Sequence, residues 1–181
     1  MEQEIGDQEI LSHSREEAIS HIIDIYGESI KRLIFTYVKN YAQADDLFQE
    51  FLIKVYQNLD QFNRNSSLKT WLYRIAINKC KDYLRSPLNR LFPLHEYTKG
   101  STMVKSAEDI TLENEQQQAI VHSILALPIK YREIFVLRYY QDFTIKQVSD
   151  ALGVQESTVK TRIMRGKKKL QLKLDGDYFG K

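Results

Sequence analysis

The 181-residue sequence holds one cysteine, three prolines and seven glycines, and no apolar stretch approaches the roughly 18 residues a membrane helix needs. A lone Cys80 has no internal disulfide partner and reads as a small buried apolar side chain on a helix, which fits a reducing cytoplasm. So few glycines and prolines leave an all-β chain short of turn residues. The first residues, Met1 to Glu9, are acidic and lack the basic and apolar segments of a signal peptide. His13, His21, His95 and His122 are scattered without metal-ligand spacing, and there is no glycine-rich phosphate loop. No metal, no cofactor and no enzymatic role are therefore expected. The length suits one domain or two small ones, since domains commonly run roughly 100–150 residues.

The net charge of +2 hides a segregation along the chain. Residues 1–30 carry eight acidic groups against Arg15 alone, and residues 31–90 carry eleven basic groups against five acidic. Residues 91–130 hold three basic against five acidic, and 131–181 eleven against six. Two basic blocks with an acidic stretch between them suggest two surfaces that face a polyanion.

Apolar residues recur at helical steps in both blocks. Tyr26, Ile30, Leu33, Ile34, Tyr37, Val38 and Tyr41 form one stripe. Leu47, Phe48, Phe51, Leu52, Val55, Tyr56 and Leu59 form a second, and Leu68, Trp71, Leu72, Ile75, Ala76, Cys80, Tyr83 and Leu84 a third. The pattern stops at Ser86-Pro87 and resumes near Glu113. Ala119, Ile120, Ile124 and Leu127 then mark one helix, and Ile134, Phe135, Leu137 and Tyr140 the next. The expected fold is all-α: two small helical domains joined by a flexible linker. The boundaries are an acidic segment at 1–19, a helical domain at 20–86, the linker at 87–112 and a helix-turn-helix domain at 113–175.

The sharpest local signal runs from Thr144 to Leu170. Thr144 with Gln147 predicts a capping box worth about 1 kcal/mol, and Gly153 predicts a left-handed turn that other residues adopt at a cost. Val148, Leu152, Val154 and Val159 pack the helix pair, so that the second helix can protrude into a major groove. From Val154 to Lys173 there are seven basic residues against Glu156 alone. The outward face is expected to present Ser157, Thr158, Lys160, Thr161, Arg162, Arg165 and Lys168. Arg162 and Arg165 suit guanine edges, at about 1–3 kcal/mol of discrimination each, while Lys167, Lys168 and Lys169 suit phosphates. Gly166 lowers helix propensity by about 1 kcal/mol and can mark a close approach.

In the N-terminal block, Asp45 and Asp46 read as dipole partners at a helix start, and Gln49 and Glu50 lie beside large apolar residues in a mixture that suits a protein partner. Further on, Lys69, Arg74, Asn78 and Lys81 are read as outward groups among aromatics, a combination that suits an unstacked single strand. Trp71 falls on the inner stripe and reads as structural. The Asn63–Ser67 loop reads equally as a plain turn or as a flap over a flipped base.

These residues resemble the sigma-70 family of bacterial RNA polymerase sigma factors, and within it the extracytoplasmic-function group. Asp45–Tyr56 resembles the helix that binds the polymerase clamp, and Leu68–Asn78 the segment that melts and reads the −10 element. Leu127–Tyr139 resembles the start of the C-terminal domain, and Gly153–Leu170 the helix that reads the −35 element. The likeness covers most of residues 20–174 in the family's order, and the linker has no room for the extra domain of larger housekeeping members. Asp45 stands where Glu is usual, Leu52 and Leu68 where Phe is common, and Ser149 and Gly166 where Ala is common.

The resemblance implies core-polymerase contacts by Asp45, Asp46, Leu47, Gln49, Glu50 and Lys54. It implies −10 contacts by Asn65, Ser66, Lys69, Trp71, Arg74, Asn78 and Lys81, and −35 contacts by the outward face named above. The implied partners are RNA polymerase core through its clamp and flap, promoter DNA, and an anti-sigma factor. The expected location is the cytoplasm, at the nucleoid, with an anti-sigma factor able to hold the chain at the membrane. An ordinary regulator with the same helix pair is the main alternative. It would bring a sensor domain, often α/β, and bind promoter duplex without polymerase, which a gel shift separates.

Overall fold

The computed structural model describes residues 14–62, 65–87 and 115–179. Every regular element among them is a helix, arranged as two helical domains. Helix α1 (Arg15–Ile22) opens inside the stretch read as an acidic segment. Ser14 Oγ accepts the Glu17 N–H at 3.3 Å, and the Glu17 carboxylate accepts the Ser14 N–H at 3.0 Å. A wide π-type turn, Ile23–Gly27, leads into α2 (Glu28–Val38). Lys39, left-handed at φ 55°, ends α2, and Asn40 opens α3 (Tyr41–Asn58) by accepting the Gln43 N–H at 3.0 Å. The stripe read as continuous through Tyr41 is therefore broken by a Lys-Asn pair. After a short 3-10 turn, Leu59–Gln61, Ser67 caps α4 (Leu68–Arg85) through the Thr70 N–H at 3.2 Å.

The stripes meet in one core. Ile30, Leu33, Ile34 and Tyr37 of α2 face Leu47, Phe51 and Val55 of α3 and Leu68, Leu72 and Ala76 of α4. Each large side chain contributes about 1.5–3 kcal/mol by leaving water. Cys80 is fully buried in this core, and burial pushes its thiol up to about 12.

The C-terminal domain comprises α5 (Glu115–Leu125), α6 (Ile129–Phe135), a π-type turn at Val136–Tyr140, α7 (Ile145–Leu152) and α8 (Glu156–Phe179). The Thr144–Gln147 capping box forms as expected, with reciprocal bonds of 3.2 and 2.8 Å. Gly153 ends α7 at φ 66°. Val148, Leu152 and Val159 are buried between α7 and α8.

Gly166 is a close approach. A Cβ built there would lie 2.4 Å from Phe135 Cε2. Gly166→Ala is therefore expected to destabilise the chain by about 1–3 kcal/mol through overpacking, although alanine is the better helix former by about 1 kcal/mol. Thermal unfolding checks the sign, and a stabilised variant would show that Phe135 moves aside freely.

The two domains are packed against each other, α7 on α4 and α6 on α2. This contact explains two side chains outside the predicted stripes. Tyr73 and Ile77 are fully buried because the second face of α4 is covered by the other domain. The Tyr73 ring centroid lies 5.0 Å from that of Phe143. The expected linker lies, beyond Pro87, outside the described residues.

Candidate functional sites

Three surfaces hold the residues singled out in the sequence. On α3, Asp46, Gln49 and Glu50 are exposed, three to four residues apart, and Lys54 is exposed one turn further on. Asp45 pairs with Lys31 at 2.6 Å, and Glu50 with Lys79 at 3.0 Å. Two readings are corrected here. Because α3 begins at Tyr41, Asp45 and Asp46 lie beyond its first turn and are not N-terminal dipole partners. Leu47 is only 2% exposed, within the core, and cannot touch a partner. Ile53, 58% exposed, joins the Asp46–Glu50 face instead. Its signal was its position: an isoleucine off the inner stripe, three residues beyond Glu50.

Before α4, Asn65 is exposed and Ser66 half-buried, and on α4 Asn78 is exposed, while Asn63 and Arg64 lie outside the described residues. Trp71 is half-buried against Phe62 at 5.3 Å, which agrees with a structural role. Lys69, Arg74 and Lys81 are not outward. Lys69 Nζ donates to the Gln141 carbonyl at 2.7 Å and lies 5.1 Å from the centroid of the Phe143 ring. Arg74 Nε donates to the Asp150 carbonyl at 2.9 Å, and Lys81 Nζ lies 3.7 Å from Glu133. All three cations are drawn to acceptors of the C-terminal domain. Burial lowers the pKa of Lys69, and Asp142 opposes that shift.

Glu133 is the junction of these contacts. Only 4% exposed, its carboxylate accepts from the Tyr37 hydroxyl at 2.8 Å and from Arg162 Nη1 at 3.2 Å. Burial first, and then this carboxylate, hold the Tyr37 pKa well above its ordinary value. Beside it, Arg132 donates to the Leu127 carbonyl at 2.8 and 3.2 Å and crosses to the Thr36 carbonyl. Tyr73 completes the seam, donating to Gln141 Oε1 at 2.5 Å, and burial pushes its pKa to about 12.

On α8, Ser157, Lys160, Arg165 and Lys168 are exposed, and Thr158 and Thr161 are half-buried. Thr161 Oγ1 donates to the Ser157 carbonyl at 2.9 Å. Arg162 departs from its expected outward position, because its guanidinium turns in toward Glu133. Met164, 65% exposed amid the basic ridge, was missed. An apolar residue on a polar face was its only mark. No described helix is long and apolar enough to cross a membrane.

Comparison with known proteins matches both halves of this arrangement. The family model described as sigma-70 region 2 matches residues 22–89, and that described as sigma-70, region 4 matches residues 117–170. The ECF RNA polymerase sigma factor SigW of Bacillus subtilis is 34% identical over 168 residues, covering 88% of this chain and 90% of SigW. The ECF RNA polymerase sigma-E factor of Escherichia coli is 26% identical over 186 residues, covering 96% and 97%. Two solved structures share the fold. The sigma factor RpoE of Bartonella quintana, in complex with the anti-sigma factor NepR, gives a TM-score of 0.69 at 20% identity, covering 87% of this chain and 97% of that one. CnrH, in complex with the cytosolic domain of CnrY, gives 0.67 at 21% identity, covering 96% and 97%. With region 2 and region 4 in their order, and a relative of this identity over nearly its whole length, the chain belongs to the extracytoplasmic-function sigma factors of the sigma-70 family, non-catalytic factors for promoter-directed transcription initiation.

Proposed function

We propose that this sigma factor divides its work among the three surfaces described above. The α3 face of Asp46, Gln49, Glu50 and Ile53, flanked by Asp45 and Lys54, docks on the polymerase clamp. The α4 face and the loop before it, with Asn65, Ser66, Lys69, Trp71, Arg74, Asn78 and Lys81, receive the −10 strand. The α8 ridge of Ser157, Thr158, Lys160, Thr161, Arg165 and Lys168 reads the −35 duplex, and Arg162 joins it when released from Glu133. Met164 suits a thymine methyl group on the same ridge. The observation that carries this reading is the ridge itself: Ser157, Lys160, Arg165 and Lys168 lie exposed along one basic helix that packs on α6 and α7. The proposed location is the cytoplasm, at the nucleoid. An anti-sigma factor is the proposed regulator and can tether the chain at the membrane.

Run-off transcription with purified core polymerase, with sequencing of the transcript starts, tests the reading. Starts at a fixed distance from a shared pair of elements are expected only when the chain is added. Promoter duplex bound tightly and specifically without core would instead identify an ordinary regulator.

A further inference from the structure

We propose that Tyr131 and Tyr139 are positioning residues for DNA: each ring holds one lysine of α8 toward a phosphate wall of the major groove. The inference rests on the assignment of α8 to duplex DNA made above. Lys167 Nζ lies 5.6 Å from the centroid of the Tyr139 ring, and Lys169 Nζ 6.0 Å from that of Tyr131. A ring face attracts a cation out to about 6 Å. A second cation shares each ring, Arg138 with Tyr139 at 5.9 Å and Lys130 with Tyr131 at 5.2 Å.

The helix sets where these lysines project. Gly166 faces Phe135, and residues follow at steps of about 100° around a helix axis. Lys168 therefore projects away from the domain, while Lys167 and Lys169 project to either side. A helix with its side chains is about 10–12 Å across, and a major groove is about 12 Å wide. The two sides of an inserted helix thus face the two phosphate backbones. Both lysines are exposed, and a lysine already held by a ring loses less freedom when it binds a phosphate.

Two further observations point to an anion. Tyr139 is 50% exposed although its ring lies 5.4 Å from buried Phe135, so core packing accounts for only part of its surface. Among the described residues, none of these four cations has a carboxylate partner. Cations that share a ring repel each other, and a phosphate beside them relieves that repulsion.

The test titrates the full chain against a fluorescein-labelled duplex of mixed sequence at several salt concentrations. Tyr139→Leu should weaken binding about threefold, whereas Tyr139→Phe, which keeps the ring, should bind like the wild type. Lys167→Gln should lower the salt slope by about 0.9, the share of one phosphate. Adding Tyr139→Leu to Lys167→Gln should then cost little more, because the ring has lost the lysine it positions. Tyr131→Leu and Lys169→Gln should behave in the same way. The two lysine variants combined should lower the slope by about 1.8, since the lysines meet separate phosphates.

An equal loss from Tyr139→Leu with and without Lys167 would make the ring merely structural and refute the proposal. So would a Tyr139→Phe chain as weak as Tyr139→Leu, or a wild-type chain that binds no duplex at low salt. A combined slope change of only about 0.9 would put both lysines on one phosphate and overturn the two-sided arrangement. Should Tyr131→Leu lose its helical circular dichroism, Tyr131→Met carries the same readouts. Failure of the run-off experiment would count against the sigma-factor assignment instead; this titration needs no promoter, so the two failures are distinguishable.

Discussion

A chain carrying Asp46→Arg and Glu50→Arg is expected to lose its association with core polymerase while keeping its helical fold. Both carboxylates are exposed on one face of α3, and reversing charge at a complementary interface costs several kcal/mol, so co-purification should fall by about 100-fold or more. The internal price is small. The one ion pair lost, Glu50 with Lys79, is solvent-exposed, and such pairs contribute about 0–1 kcal/mol. Leu47→Ala is the matched control. Leu47 is buried at the centre of the same helix, so its truncation should lower stability by about 2–5 kcal/mol and leave the affinity of the folded fraction unchanged. Undiminished association of the double charge variant, with its circular dichroism intact, would remove α3 from the polymerase interface.

The two arginines of the recognition helix should separate just as sharply. They are three residues apart and chemically alike, yet Arg165 is exposed while Arg162 pairs with a carboxylate that is 4% exposed. Arg165→Ala should leave the melting temperature almost unchanged, within the roughly 0.5 kcal/mol typical of surface sites. It should weaken −35 discrimination by about 1–3 kcal/mol. Arg162→Ala strips a buried acceptor of its partner and should destabilise the chain by about 1–3 kcal/mol, or several degrees for a chain of this size. Calorimetry and duplex titration on both variants check the contrast. Equal melting temperatures would mean that Tyr37 and Lys81 alone satisfy Glu133.

The sequence was most legible where a local rule acts by itself. The Thr144–Gln147 box and the Gly153 turn each depend on a few neighbouring residues, and both are present. Gly166 shows its weak helix propensity locally, although the close approach it allows is to Phe135 on another helix. Ser14-Arg15-Glu16-Glu17 carries the same kind of signal for α1 and was passed over as mere acidity. What periodicity alone could not reveal is the second face of α4. A single-stripe reading assigns every residue opposite the stripe to solvent, so Lys69, Arg74 and Lys81 were read as outward, and Tyr73 and Ile77 went unread. Their burial depends on residues some seventy positions away, at Gln141, Phe143 and Asp150. Arg162 was misread for a related reason, since its inward turn depends on a buried carboxylate on a different helix. Leu47 is the opposite case: it lies on the predicted inner stripe, and only the resemblance moved it to the interface.

Cys80 carries a consequence for how the chain can be governed. The thiolate is the species that peroxides, disulfides and alkylating agents attack. Burial pushes the Cys80 pKa up to about 12, so the thiol stays protonated at neutral pH. Solvent access is also closed, because Cys80 is fully buried between α4 and the rest of the N-terminal core. Oxidants thus find no handle on the folded chain at its one sulfhydryl. Thiol modification of the chain would therefore report that the core around Cys80 had already opened.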